Sequence, residues 1–460
     1  MKKLLSAAAL AAAVALGVAA CGSPGGSSSS TTASAAGAKP IPELSPDQKV
    51  TITFESYNFG LAGPWTETFN ELLGKFKAKY PNITVIGQKP LGSSPNPASD
   101  AISSVQQQAA AGKAPDVDQQ GFDALNFMVN SLGAKPLEDV VGKPAVDANF
   151  GGAHPFSPSV TTLANVKGKT YGVPFVLSTP ILYYNKTLFT QAGLDPNKPP
   201  TTWDEVATDA AAIKAKTGKD GAYIDCLTKG SKDWCLQSLI RSNGGRVIST
   251  DGSKLSFADA PAVQAVTMAQ GLVNSGSTPK LQQKPAYTEF AAGGMGMILE
   301  TSAVQSVFQK GAKTGKWELG AAAEPAFGSQ PVIPTSSGSA LFMLSKDPAK
   351  QRAAWDLITF LTSDQAYDVI SSKIGYVPLR PSLVDSAADL KPWADAHPLI
   401  QPNIAQLAKM EPWVAFPGDQ FVQIRDGWMS AVESVVYQGK PAGPTLSAAQ
   451  TTASALLPKG

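Results

Sequence analysis

Histidine is nearly absent from this chain: its 460 residues contain two, His154 and His397, each followed by proline. A histidine-rich metal site is excluded, and a Ser-His-Asp triad would have to use one of these two loop-placed rings. The spaced signatures of hydrolases and nucleotide enzymes are missing too, with no His-Glu-x-x-His, no Gly-x-Ser-x-Gly and no Walker-type phosphate loop. Gly293-Gly294-Met295-Gly296-Met297 is glycine-rich, but it lacks the spacing and acidic partner of a dinucleotide site and reads as a tight turn into an apolar strand. Carboxylate pairs such as Asp204/Glu205 sit at a helix start, where capping explains them better than glycosidase chemistry. No cofactor or metal is implied. Net charge is only +2, without a basic cluster in the body of the chain, so neither nucleic acid nor an acidic polymer is implied as a partner.

Long apolar runs are equally scarce. One exists, Leu4 to Val18, behind Lys2 and Lys3 and ahead of Ala19-Ala20-Cys21. At roughly 15 residues it is short of the ~20 a membrane-spanning helix needs, and it has the charged, apolar and small-residue order of a secretory signal. Val18-Ala19-Ala20-Cys21 resembles the bacterial lipobox, which implies acylation of the Cys21 thiol and removal of residues 1–20. Apart from Pro24, Gly22 to Ala38 carries no apolar side chain larger than alanine, as a flexible tether would.

Of the three cysteines, Cys226 and Cys235 remain, flanking a Gly-Ser turn. In an oxidising compartment they are expected to close a short disulfide loop; the alternative is two separate buried thiols.

The body of the chain, ~420 residues, is too long for one small core and suggests two lobes. Val50-Thr51-Ile52-Thr53-Phe54 reads as a strand. A helix follows, with Phe69, Leu72, Leu73, Phe76 and Tyr80 recurring at three and four residues until Pro81, and then a second strand, Ile83 to Ile86. Strand, helix, strand is a βαβ unit of a parallel sheet. Thr202-Trp203-Asp204-Glu205 is a capping box opening a helix through Lys216, and Asp347-Pro348 opens another through Leu361. Ala340 to Leu344 is continuously apolar, as in a strand covered on both faces of a doubly wound sheet.

Gly172-Val173-Pro174-Phe175, Ser178-Thr179-Pro180 with Tyr183-Tyr184-Asn185-Lys186, Gly193-Leu194-Asp195-Pro196, Thr201-Thr202-Trp203-Asp204, Gly375-Tyr376-Val377-Pro378 and Gln423-Ile424-Arg425 occur in this order. Together they closely resemble family 1 extracellular solute-binding proteins of ABC importers, with the nearest likeness to glycerol-3-phosphate and glycerophosphodiester binders. The resemblance implies an α/β, two-lobe, periplasmic-binding-protein-like fold of type II, with the ligand in a cleft between lobes. The chain would cross between lobes at Ser178 to Pro180, near Ser336 to Ser339, and shortly after Tyr376. The corresponding division is a tether at 21–45, lobe 1 at 46–178 plus 338–380, and lobe 2 at 179–337 plus 381–460.

By the same resemblance Arg425 and Tyr376 face a ligand phosphate, Ser302 and Gly338 contribute nearby, Asp100 supplies the acidic residue for glycerol hydroxyls, and Trp234 an aromatic floor. A guanidinium fork suits phosphate oxygens in physical terms. Tyr57, just beyond the first strand, lies where parallel sheets place ligand contacts. The competing readings are a surface aromatic for Tyr57, a salt bridge within one lobe for Arg425, and core or surface packing for Trp393, Trp413 and Trp428, one of which is expected to reach the cleft. The function implied is a non-catalytic receptor, monomeric and lipid-anchored outside the cytoplasm, that delivers a glycerophosphate-type or saccharide ligand to membrane permease subunits. A secreted glycan or phosphodiester hydrolase is the alternative, and a cell-envelope adhesion protein a weaker one.

Overall fold

The computed structural model describes residues 40–61, 64–94 and 97–458. The expected signal segment and the expected acylation site at Cys21 lie outside the described residues. Ile41 N–H already donates to the Val140 carbonyl at 3.2 Å and Glu43 pairs with Arg352 at 2.5 Å. The chain is thus docked before position 45, where Ile41 and Leu44 pack against the core.

Among the described residues eleven strands follow in order: β1 (Val50–Glu55), β2 (Ile83–Gln88), β3 (Val117–Gly121), the hairpin β4 (Asn165–Val166) and β5 (Lys169–Thr170), β6 (Gly172–Ser178), β7 (Pro180–Asn185), β8 (Asp220–Ile224), β9 (Met295–Thr301), β10 (Leu319–Ala323) and β11 (Ser337–Met343). They form a five-stranded sheet, β2-β1-β3-β11-β6, and a four-stranded sheet, β10-β7-β9-β8, each the centre of an α/β lobe.

The first lobe begins as its sequence dictates. Val50, Ile52 and Phe54 alternate inward along β1, which pairs in parallel with β2 from Val50↔Ile83 onward. The helix Trp65–Lys79 buries Trp65, Phe69, Leu72 and Phe76 on one face and ends at Tyr80, ahead of Pro81. Phe69 stacks on Phe54 and meets Phe175 edge-on, at 6.1 and 5.7 Å between ring centroids. Burying each such ring contributes about 1.5–3 kcal/mol. The apolar run after Gly338 is a central strand, as its composition predicts, but β11 runs antiparallel to both β3 and β6. The register with β6 shifts between Ser339 and Ala340, and at Gly338 the β6 backbone comes so close that a Cβ would lie 2.0 Å from the Val176 oxygen, with φ +135°. Only glycine fits.

In the second lobe the capping box at Thr202 opens the helix Trp203–Thr217, with Glu205 N–H donating to Thr202 Oγ1 at 3.2 Å, and Gly218 closes it with φ +70°. β8 and β9 are parallel.

The chain passes from one sheet to the other at Thr179, between β6 and β7, and returns between Ala323 and Ser337. Arg380 donates to the carbonyls of Asn149, Gly151, His154 and Thr362, and His154 lies against Ser382 and Asp389. The chain therefore stays on the first lobe through Asp389, because the Arg380 guanidinium satisfies four carbonyls there. The helix Gln401–Leu407 then lies across the first passage.

Candidate functional site

In parallel sheets the carboxyl ends of the strands carry the loops that bind ligands. Here those ends converge from both lobes. Tyr57 follows β1 in a turn capped by Ser56, which accepts from Asn58 N–H at 3.1 Å; Asp123 follows β3, Asp225 follows β8, and Glu300 and Thr301 end β9. Between them lies a cavity of about 560 Å³. Its first-lobe wall carries Tyr57, Trp65, Gly121, Gly338 and Tyr376; its second-lobe wall carries Lys232, Trp234, Tyr287 and Glu300, joined by Trp413.

Of the residues proposed from sequence, the structure brings Tyr57, Tyr376, Gly338 and Trp234 together in this cavity. Tyr376 stands edge-on to Trp65 at 5.0 Å. Burial pushes the Tyr57 phenol up to about 12, although Ser339 and Gln119 hydrogen-bond to it. Gly338 lines the cavity, its missing side chain permitting the close approach of the β6 backbone. Ser302 is fully buried beside Gly375, and Asp100 accepts from Ser94 N–H at 2.9 Å; neither lines the cavity.

Arg425 is placed differently from the resemblance. It lies on the helix Phe421–Gln438 with 9% exposure, off the cavity wall, and its fork is occupied. Nε and Nη2 donate to Asp426 Oδ1 at 3.1 and 3.0 Å, and Nη1 donates to Asp123 Oδ2 at 2.8 Å. Asp123 belongs to the first lobe, whereas the Arg425 helix packs on the helix Ala260–Asn274 of the second, so the ion pair joins lobes rather than lying within one. Burial opposes the arginine's charge, but Asp123, Asp233 and Asp426 outweigh it and raise its pKa.

Lys232 reaches the same carboxylate, at 3.5 Å, and lies 5.8 Å over the Trp413 ring. Burial lowers its pKa, against Asp123. Its backbone adopts φ +61°, ψ −173°, a region that costs a non-glycine residue about 1–3 kcal/mol. The surrounding segment holds it there, because Cys226 and Cys235 are bonded, with Cα atoms 5.5 Å apart. Both cysteines are fully buried.

On the other side of the cavity Glu300 is buried beside Asp225, which accepts from Ser231 and Gln283 at 3.1 and 2.9 Å. Burial raises both carboxyls, Asp225 to about 6 and Glu300 further, and their proximity raises Glu300 more.

Sequence reasoning missed Asp123, Lys232, Glu300, Trp65 and Tyr287. Trp413 is the tryptophan that reaches the cleft; Trp428 is core, stacked on Phe257 at 5.0 Å, and Trp393 stacks on His397 at 5.2 Å. The signal available was the position of Asp123 and Glu300 at strand ends. Neither histidine lines the cavity.

Compared with known proteins, the chain matches the model of the bacterial extracellular solute-binding protein family over residues 71–402. A probable ABC transporter-binding protein of Deinococcus radiodurans is 26% identical over 366 residues, 76% of this chain and 82% of that one. The sn-glycerol-3-phosphate-binding periplasmic protein UgpB of Escherichia coli K12 is 27% identical over 289 residues, 60% of this chain and 63% of its own. Among solved structures, UgpB of Mycobacterium tuberculosis in complex with glycerophosphocholine superposes with a TM-score of 0.76 at 20% identity, covering 89% of this chain and 98% of that one. The cyclic α-maltosyl-1,6-maltose binding protein of Arthrobacter globiformis gives 0.72 at 21% identity, covering 90% and 100%. These likenesses establish the two-lobe fold of periplasmic binding proteins, and with the family match over most of its length the chain belongs to the bacterial extracellular solute-binding proteins.

Proposed function

We propose that this protein is the solute-capturing component of an ABC importer, anchored outside the cytoplasm through Cys21, and that it traps one carbohydrate-class molecule, a saccharide or glycerophosphate-type solute, by closing its lobes. The observation that carries this reading is the composition of the cavity wall. Trp65, Tyr57 and Tyr376 from one lobe face Trp234, Tyr287 and Trp413, with a few polar groups among them. Aromatic faces suit the C–H surfaces of a sugar ring or glycerol chain, and the polar groups suit its hydroxyls. Binding to both walls stabilises the closed form, so occupancy and the shape offered to permease subunits change together.

The test is a panel of maltose, trehalose, glycerol-3-phosphate and glycerophosphocholine, read by melting temperature and solution scattering. A binding member raises the melting temperature and compacts the protein. Turnover of any of them by the purified protein, or an affinity unchanged in Trp234→Ala, overturns the reading. Acylation is checked by mass spectrometry of the exported protein: a mature chain without diacylglycerol on Cys21 removes the anchor.

A further inference from the structure

We propose that the cleft contains a subsite for a primary ammonium, formed by Glu300 with Asp225, and that its solute is accordingly an amino-bearing member of the carbohydrate class. The inference rests on the cleft being the solute site and concerns which solute it takes.

Glu300 lines the cavity at the end of β9, fully buried, and neither of its carboxyl oxygens makes a hydrogen bond among the described residues. Asp225 follows the adjacent strand β8, is also fully buried, and acts directly on Glu300. The two are held differently. Asp225 is fixed by Ser231 and Gln283, whereas the oxygens of Glu300 are left open.

Two buried carboxyls side by side call for a cation. The other groups that act on them are the Ser231 hydroxyl, the Gln283 amide, the Thr301 backbone and the Tyr287 phenol, and none is cationic. The two lysines of the wall do not fill the gap: Lys232 stands 3.5 Å from Asp123, and Lys284 is exposed.

A bound solute can supply the charge. A calcium ion takes about six to eight oxygen ligands, and among the described residues no third carboxylate, histidine or cysteine joins this pair. A hydroxyl offers a donor without charge, and a quaternary ammonium offers charge without a donor. A primary ammonium offers both, with three N–H groups on one compact cation. Burial and mutual proximity hold both carboxyls above their ordinary range, and a cation beside them offsets both effects. Trp234 and Tyr287 on the same wall suit the sugar ring that carries the amine.

The experiment is isothermal titration at about pH 6, where a sugar amine is charged, with three disaccharides of one linkage: cellobiose, the β-1,4 dimer of glucosamine, and its N-acetylated form chitobiose. The wild type is expected to bind the glucosamine dimer roughly tenfold or more tightly than either of the others. Glu300→Gln keeps the shape and removes the charge, and should bring that ratio to about one; Asp225→Asn should lower it as well. A wild type that does not bind the glucosamine dimer, or binds it no better than cellobiose, overturns the proposal, as does a preference that persists in Glu300→Gln. Should neither variant fold, the wild-type comparison decides: preference for the amine over both the hydroxyl and the acetamide supports the subsite, and any other order counts against it. Failure of the cleft itself as the solute site reads differently, as disaccharide binding that Trp234→Ala does not alter.

Discussion

Thr179 is tied to Asn403 twice, its N–H donating to Asn403 Oδ1 at 3.1 Å and its hydroxyl to the same oxygen at 2.6 Å. Gln406 adds bonds to the Thr179 hydroxyl and the Pro180 carbonyl, at 2.7 and 2.8 Å. A helix far along the chain thus clamps the first passage between lobes at the residue where β6 becomes β7. Asn403→Ala strands a buried N–H and hydroxyl and is expected to destabilise the protein by about 1–3 kcal/mol. Asn403→Asp, which keeps an acceptor, should cost less. Urea unfolding measures both, and equal midpoints for Asn403→Ala and the wild type would rule out the clamp.

The disulfide closes a short loop around a strained residue. Replacing Cys226 and Cys235 together by serine should lower stability by about 2–3 kcal/mol, the loop-entropy value for a span of this length. Solute affinity should fall at the same time, since Lys232 and Trp234 both lie between or beside the paired sulfurs. Wild-type affinity in the double serine protein would mean that the loop holds its shape unaided.

Glu324 lies in the second passage, 2% exposed, accepting from Ser238 and Ser242. Burial raises its carboxyl to about 8, above the ordinary 4.5. The folded state therefore keeps a proton that the unfolded chain gives up near pH 4.5. Its contribution to stability is complete below that value and is lost as pH rises toward 8, by at most about 1.4 kcal/mol per pH unit. Glu324→Gln should flatten this decline and raise the melting temperature at pH 8. A pH profile that the substitution leaves untouched would show that Glu324 ionises without penalty.

Gly338→Ala places a Cβ against backbone, at a φ of +135°. No side chain can give way, so the cost is expected to exceed about 3 kcal/mol, with loss of soluble protein at 37 °C. Gly427→Ala, on a helix where a Cβ meets nothing within 4 Å, is the matched control and should be neutral or stabilising.

The elements with local causes were legible in the chain. The β-branched run at 50–54, the helical spacing through Phe76 and the Thr202 capping box appear where their patterns place them. β3 was not, because Val117-Asp118-Gln119-Gln120 has no apolar alternation, yet all four are buried. The amide donors of its two glutamines are held by residues distant in sequence: Gln119 Nε2 donates to Ser339 at 2.7 Å, and Gln120 Nε2 to the Ala101 carbonyl at 3.0 Å. The direction of β11 escaped for a related reason, since an apolar run reports burial on both faces and says nothing of polarity along the sheet. In the site, the aromatic Tyr57 was readable from its place after β1. The Asp123 contact with Arg425 spans 302 positions, and no local motif encodes a pair that forms only when two lobes meet.

The bond between Cys226 and Cys235 also orders events in time. Thiols stay reduced in the cytoplasm and pair only in an oxidising compartment. The segment that presents Lys232 and Trp234 to the cleft is therefore fastened after export, so a chain delayed inside the cell has an unfinished wall. Full affinity is accordingly expected only once this bond has formed, in the compartment where the solute is met.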